Sequence, residues 1–328
     1  MTNSLEIHRF DFAGHVLEIE ARPGNLGQAF DGMMADLRTD SVAEPAFRIV
    51  MAEETPTAAP PGSSLVYQGP IFAEGDCIYS LCGNATHFAY PGELSVLIES
   101  DKRIARISVA PGHARRAGQN GGMVAIEAAV DSTGQQVLHA AGLVLPGRDD
   151  IVLVHAPSGT GKTTTSLALA TTGFALSSDD AMVLRVDGAK ASAWGFPRDV
   201  KIHRNTAAML PSVGALLGPK WDDNGEQPAK LSMLAQVVNI ATPRPRPVVG
   251  IFHLVRHAGS PASIRKLSGA EALVTLASDN VRTGQTGLIP LQQRRYLALA
   301  RLVSMVPAFE INVGADPAEV GALILQAV

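Results

Sequence analysis

Ile151-Val-Leu-Val-His155-Ala-Pro-Ser-Gly-Thr-Gly-Lys162-Thr163-Thr-Thr-Ser166, continued by Leu-Ala-Leu-Ala170, is the stretch that decides the fold. A run of β-branched and apolar residues ends in a glycine-containing turn, and helix formers follow at once. This is the strand–loop–helix order of a phosphate-binding P-loop. Successive backbone N–H groups between Pro157 and Thr163 can point into one concavity, spanning Ser158, Gly159, Thr160, Gly161, Lys162 and Thr163, with Thr164 just behind. The positive end of the following helix adds to the same spot. Gly159 and Gly161 let the backbone bend and come close to a phosphate. Lys162 supplies a compact charge for the β/γ-phosphates, and the Thr163 hydroxyl suits Mg2+. The motif's first glycine is Ala156 here. Alanine is costly at positive φ, so the turn must start in a conformation open to it. The motif implies a nucleoside phosphate and Mg2+, without saying what becomes of the phosphate.

Working outward, Gly173 is placed to stop the helix after about Thr172. Phe174–Ser178 then reads as a short strand ending in Asp179-Asp180. If that strand lies beside the Ile151 strand, its C-terminal end faces the crevice where open α/β sheets bind ligands. Adjacent aspartates diverge and can take different tasks. Either can bind Mg2+, and the other can take a proton from an attacking hydroxyl. An ordinary Ser-Asp-Asp turn is the structural alternative. Upstream, Val137–Leu145 reads as a buried strand with His139 inside it. A lone histidine there is either a hydrogen-bonded core residue or a partner of the acidic pair. His155 is read as a core residue.

Downstream, Arg198, Lys201, His203 and Arg204 form a basic cluster. Arg198 or Lys201 would stabilise a transferring γ-phosphoryl group, against a solvated polar loop as the alternative. Lys230 is a weaker phosphate candidate. Residues 212–228 carry Gly, Pro, Asn and mixed charge and are expected to be mobile. Val248–Val255, Leu291–Val306, Phe309–Val313 and Pro317–Val328 read as strand, amphipathic helix, strand and closing helix, and Ser268 as the cap of a helix to Ser278.

The first 110 residues or so differ in character. An alternating run at 5–21, a short strand at 48–51 and strand-like runs at 65–67, 77–82, 86–90, 94–99 and 103–109 predict a small antiparallel β domain. Residues 110–122, rich in glycine and locally basic, read as a linker, which sets domains at 1–120 and 121–328. The whole is therefore α/β: an antiparallel β-rich N-terminal domain, then a P-loop domain with a mixed sheet. The net charge of −4 gives no general attraction to nucleic acid or anionic lipid. No apolar run approaches the ~20 residues of a membrane span, and the polar Thr2-Asn3-Ser4 start does not resemble a secretory signal. A cytoplasmic protein is expected. Cys77 and Cys82 have an odd offset within one strand and read as packing residues.

The order Leu138-His139-Ala140, Ser-Gly-Thr-Gly-Lys162-Thr163, Gly173-Phe174 and Ser178-Asp179-Asp180 resembles the C-terminal domain of HPr kinase/phosphorylase. It is still more similar to the smaller HPr-kinase-related proteins of bacteria. The resemblance covers roughly residues 123–328 and is strongest over 137–186. It implies a fold like that of phosphoenolpyruvate carboxykinase, with Lys162 and Thr163 serving ATP and Mg2+. One of Asp179 and Asp180 would be the base for an acceptor hydroxyl, the other a metal-side ligand, and His139 would tune the base. Where HPr kinases carry Arg-Gly-Leu-Gly, this chain has Gly195-Phe-Pro-Arg-Asp-Val-Lys-Ile-His-Arg204. HPr as acceptor and phosphorolysis are therefore not carried over. The expected activity is ATP-dependent phosphorylation of a hydroxyl on a protein, a peptide or a small molecule, with self-association left open. A nucleotide-binding regulatory module without transfer is the alternative, and a plain NTPase a third reading.

Overall fold

The computed structural model describes residues 6–21, 34–70, 76–196, 198–257, 259–282, 290–314, 316–317 and 319–328. Two compact units divide the chain between Gln136 and Val137, with the C-terminal residues from 290 onward in the second.

In the first unit, β1 (Glu6–Asp11), β2 (Val16–Ala21), β3 (Phe47–Glu53), β4 (Ser64–Pro70), β5 (Asp76–Cys82), β6 (Ala85–Tyr90), β7 (Leu94–Glu99) and β8 (Ile104–Val109) form one sheet. Its order is β1-β2-β3-β8-β7-β6-β5-β4. The expectation of an antiparallel domain is corrected at β3, which is parallel to both neighbours, β2 and β8. The long connection between Ala21 and Phe47 permits this, because parallel neighbours need a crossover rather than a tight turn. Both cysteines are free, with Cys77 buried.

The expected linker is a second correction. Ala114–Arg116 is helical, Ala117–Gly122 continues as a π-helix, and α1 (Met123–Ser132) follows without a break. Ala117, Asn120 and Gly121 are buried. A Cβ on Gly121 would lie 3.1 Å from Leu94 Cδ1 and 3.3 Å from Ile107 Cγ2. The glycines that looked like flexibility let a helix press on the sheet. Thus α1 belongs to the first unit rather than to the second.

The second unit is built on the last two residues of β9 (Gln135–Leu138) and on β10 (Ala141–Val144), β11 (Ile151–His155), β12 (Ala175–Ser178), β13 (Met182–Asp187), β14 (Lys190–Gly195), β17 (Arg246–Val255), β18 (Ser263–Lys266) and β19 (Ala308–Asn312). The order is β12-β10-β11-β17-β14-β13-β9, with β19 also on β17 and β18 on β19. The sheet is mixed. β11 and β17 run parallel, as do β17 and β19. The chain is thus an α/β protein with large mixed sheets. Separately, β15 (Val200–His203) and β16 (Glu226–Ala229) form a two-stranded ribbon. Residues 212–228, expected to be mobile, include most of β16 and a turn in which Asp222 accepts from the Asn224 and Glu226 N–H groups at 3.0 and 2.7 Å.

Five residues of β11 are buried, as a strand covered on both faces requires. Val152 and Val154 pack with Leu167, Leu169 and Ala170 of α2 (Lys162–Thr171) and with Val320 and Ile324 of the closing helix. Ile151 and Leu153 face the other way, onto Ala272 and Leu276 of α3 (Gly269–Asn280) and Leu299 and Leu302 of α4 (Pro290–Met305). Helix α3 starts at a capping box between Ser268 and Glu271. Among the described residues, no helix is long and apolar enough to cross a membrane.

Candidate active site

The loop at 156–161 leaves β11 at Ala156, which is buried and does not adopt positive φ, so the missing glycine costs the turn nothing. Gly159 and Gly161 do adopt positive φ, at 80° and 105°. Gly161 is the N-cap of α2 and no side chain caps that end, so the first-turn amides lack a capping acceptor. The Thr160 N–H is the exception, since it donates to the Pro157 carbonyl at 3.2 Å. Thr164 does not face the loop with its side chain. Its hydroxyl is buried against that of Thr206 at 2.7 Å.

The acidic pair reaches this loop by a route other than the expected one. β12 does not adjoin β11, because β10 lies between them. As β10 is antiparallel to both, β11 and β12 point the same way and end on the same edge. There Lys162 Nζ donates to Asp180 Oδ1 at 2.8 Å and to the Asp179 carbonyl, while Thr163 Oγ1 donates to Asp179 Oδ2 at 2.6 Å. Asp179 is only 5% exposed, and its Oδ1 has no hydrogen-bond donor. Burial pushes its carboxyl pKa up, against the pull of Lys162 and Thr163.

Asp180 is the opposite case, with 48% of its side chain exposed. Its enclosed part favours the neutral acid, but bonds from His139 and Lys162 outweigh this and hold the pKa well below the carboxylate range. His139 Nε2 lies 2.8 Å from Asp180 Oδ1, and Arg198 Nη1 lies 4.0 Å from Asp180 Oδ2. His139 is not inside a strand as expected. The chain bends at His139-Ala140, between β9 and β10, with an Ala140 N–H to Leu138 carbonyl bond of 3.0 Å. The freed His139 N–H donates to Asn280 Oδ1 at 2.6 Å, and Asn280 closes the end of α3 by bonding the Leu276 carbonyl.

The other basic candidates make their contacts elsewhere. Lys201 Nζ is 4.0 Å from Glu226, and the Arg204 guanidinium lies 5.6 Å from the Trp221 ring centroid. Lys230 is exposed ahead of the helical turn Leu231–Leu234.

Beneath the loop, His155 on the Leu153 face donates from Nε2 to Asp279 Oδ2 at 2.9 Å. Its Nδ1 lies 3.2 Å from His253 Nδ1. With His155 neutral, Nδ1 must accept, which fixes His253 as the Nδ1–H tautomer. Burial lowers the His155 pKa to about 4 despite Asp279, so the neutral form is the one held. Asp279, Asn280 and His253 were invisible to motif reasoning, because no local pattern joins the end of a helix to two strands.

Mg2+ asks for few protein oxygens, since phosphates and water complete its shell. The Thr163 hydroxyl and the Asp179 carboxylate, one oxygen of which lacks a donor, fit that demand. Among the described residues there is no group of three or more His, Cys, Asp and Glu able to cage a metal.

No protein-family model matches the chain. No curated protein matches it either. Among solved structures, the chain is similar to the Hpr(Ser) kinase/phosphatase from Coxiella burnetii, at 14% identity and a TM-score of 0.32, over 58% of this chain and 95% of that one.

Proposed function

We propose that the second unit is an ATP- and Mg2+-dependent kinase that phosphorylates a hydroxyl group on a protein, a peptide or a small molecule. The observation that carries this is one junction. At the start of a helix with no side-chain cap, Lys162 bonds the Asp180 carboxylate and the Asp179 carbonyl, and Thr163 bonds the Asp179 carboxylate. A binding module needs the loop and the lysine. It does not need a half-exposed carboxylate held beside them.

Accessibility divides the tasks of the two aspartates. Asp179 is buried against Thr163, so these two would hold Mg2+, which would neutralise phosphate charge. Asp180 faces solvent and is the base. In the reaction, Lys162 exchanges its bond with Asp180 for phosphate oxygens. Asp180 takes the proton of the acceptor hydroxyl, whose oxygen bonds the γ-phosphorus. The bond from that phosphorus to the β–γ bridging oxygen breaks, and ADP leaves. Bonds from both His139 and Lys162 hold the Asp180 pKa down, and a bound triphosphate would remove the Lys162 share of that effect. His139, held by Asn280, fixes the carboxylate's orientation.

Titration with Mg-ATP tests the reading. Lys162→Ala should weaken binding about 10-fold or more, as expected for a charge-assisted phosphate contact. Absence of Mg-ATP binding by the unmodified protein would overturn it.

A further inference from the structure

β17 runs parallel to β11 in register, with His253 opposite His155, so its end arrives beside the phosphate loop. The next residue is Arg256. The backbone that follows is pinned by Asn312, which is 5% exposed. Asn312 Oδ1 accepts the His257 N–H at 2.8 Å, and its Nδ2 donates to the Pro261 carbonyl at 2.8 Å. The Val313 N–H adds a bond to the Val255 carbonyl at 2.9 Å. His257 and Pro261 are thus both held by Asn312 of β19.

From this anchored position the guanidinium lies on the Thr160–Gly161 corner. Arg256 Nε donates to the Thr160 carbonyl at 3.4 Å, a weak bond. Nη2 stands 3.2 Å from where a Gly161 Cβ would be. A side chain at 161 would therefore push the arginine off the loop, apart from the strain of a φ of 105°. Among the described residues Arg256 has no carboxylate within ion-pair distance, and its side chain is exposed. A guanidinium kept at a phosphate loop without a carboxylate partner is placed for an anion. The buried Asp179 oxygen without a donor, on the Lys162–Thr163 side of the same loop, independently marks the spot as built for a ligand.

We infer that Arg256 binds the terminal phosphoryl group of the nucleoside triphosphate, and that it rather than Lys162 alone distinguishes triphosphate from diphosphate. The inference rests on the nucleotide reading proposed above. Lys162 is a point charge, whereas a guanidinium offers a fork that two phosphate oxygens can fill, and it stabilises charge on a phosphoryl group in transit.

The test measures dissociation constants of Mg-ATP and Mg-ADP for the full chain and for Arg256→Ala, Arg256→Lys and Lys162→Ala. Arg256 is exposed, so its substitution is not expected to disturb folding. Arg256→Ala should weaken Mg-ATP about 10-fold and Mg-ADP by less than about threefold, with Arg256→Lys between it and the unmodified protein. An equal loss for both nucleotides would make Arg256 a brace for the Thr160 carbonyl and overturn the inference, as would no loss for either. If the unmodified protein binds nucleotide and Lys162→Ala weakens it, the nucleotide reading stands whatever Arg256 does. If the unmodified protein binds neither nucleotide, that reading falls and takes the inference with it.

Discussion

Asp180→Asn should lower phosphoryl transfer from ATP by about 10²- to 10⁴-fold, the usual contribution of a positioned general base. It should leave Mg-ATP affinity unchanged or slightly tighter. The two effects separate because Lys162 is bonded to Asp180 at 2.8 Å. Removing the charge at 180 frees the lysine for phosphate while taking away the group that accepts the proton. The change is isosteric and the side chain is half exposed, so the fold should tolerate it. Transfer is measured with γ-labelled ATP and hydroxyl compounds or peptides, with slow transfer to water as the fallback. A parallel loss of affinity and turnover would mean that Asp180 only shapes the loop. Full activity in the variant would mean that the base lies elsewhere.

Acid should destabilise the second unit through His155. His155 is held neutral, with a pKa lowered to about 4, while the unfolded chain has the ordinary value of 6.5. For a histidine with a depressed folded pKa, the unfolded state takes up the proton first. Stability is therefore lost as pH falls from about 6.5 towards 4. The loss is of the order of 2 kcal/mol by pH 5 and about 3 kcal/mol once the folded state also titrates. The groups facing His155 are Asp279, which opposes the shift, and His253 and His139, which add to it. The His253 pKa is lowered chiefly by burial, so it acts in the same direction. Both tryptophans, Trp194 and Trp221, lie in the second unit, so their fluorescence during chemical denaturation follows this unit. Between pH 7 and pH 5 the unmodified protein should lose about 2 kcal/mol more than His155→Gln, which cannot titrate. Equal pH slopes would mean that His155 is not held neutral.

The parts legible in the sequence were those in which neighbours along the chain are neighbours in the site. The Ile151–Thr171 unit is one such stretch, and so is Ser268, whose capping box with Glu271 is local chemistry. The rest depended on contacts between distant segments. Nothing near His139 announces that the chain bends there, because its N–H is bonded by Asn280, far away in sequence. The glycines at 118–122 carry the composition of a linker, and only the facing Leu94 and Ile107 show why a helix needs one of them. β3 could not be read as parallel, since its partners are chosen by topology and not by its own alternation. Arg256 belongs to no local motif, and only the pairing of β17 with β11 sets it beside the loop.

The most direct measurement is a structure of the protein with Mg2+ and a non-hydrolysable ATP analogue. The account predicts the terminal phosphate on Lys162 Nζ, released from Asp180, with the metal held on the Thr163 and Asp179 side and Asp180 open towards the γ-phosphorus. A nucleotide bound away from the 157–163 loop would contradict it, as would one bound there with Lys162 still bonded to Asp180.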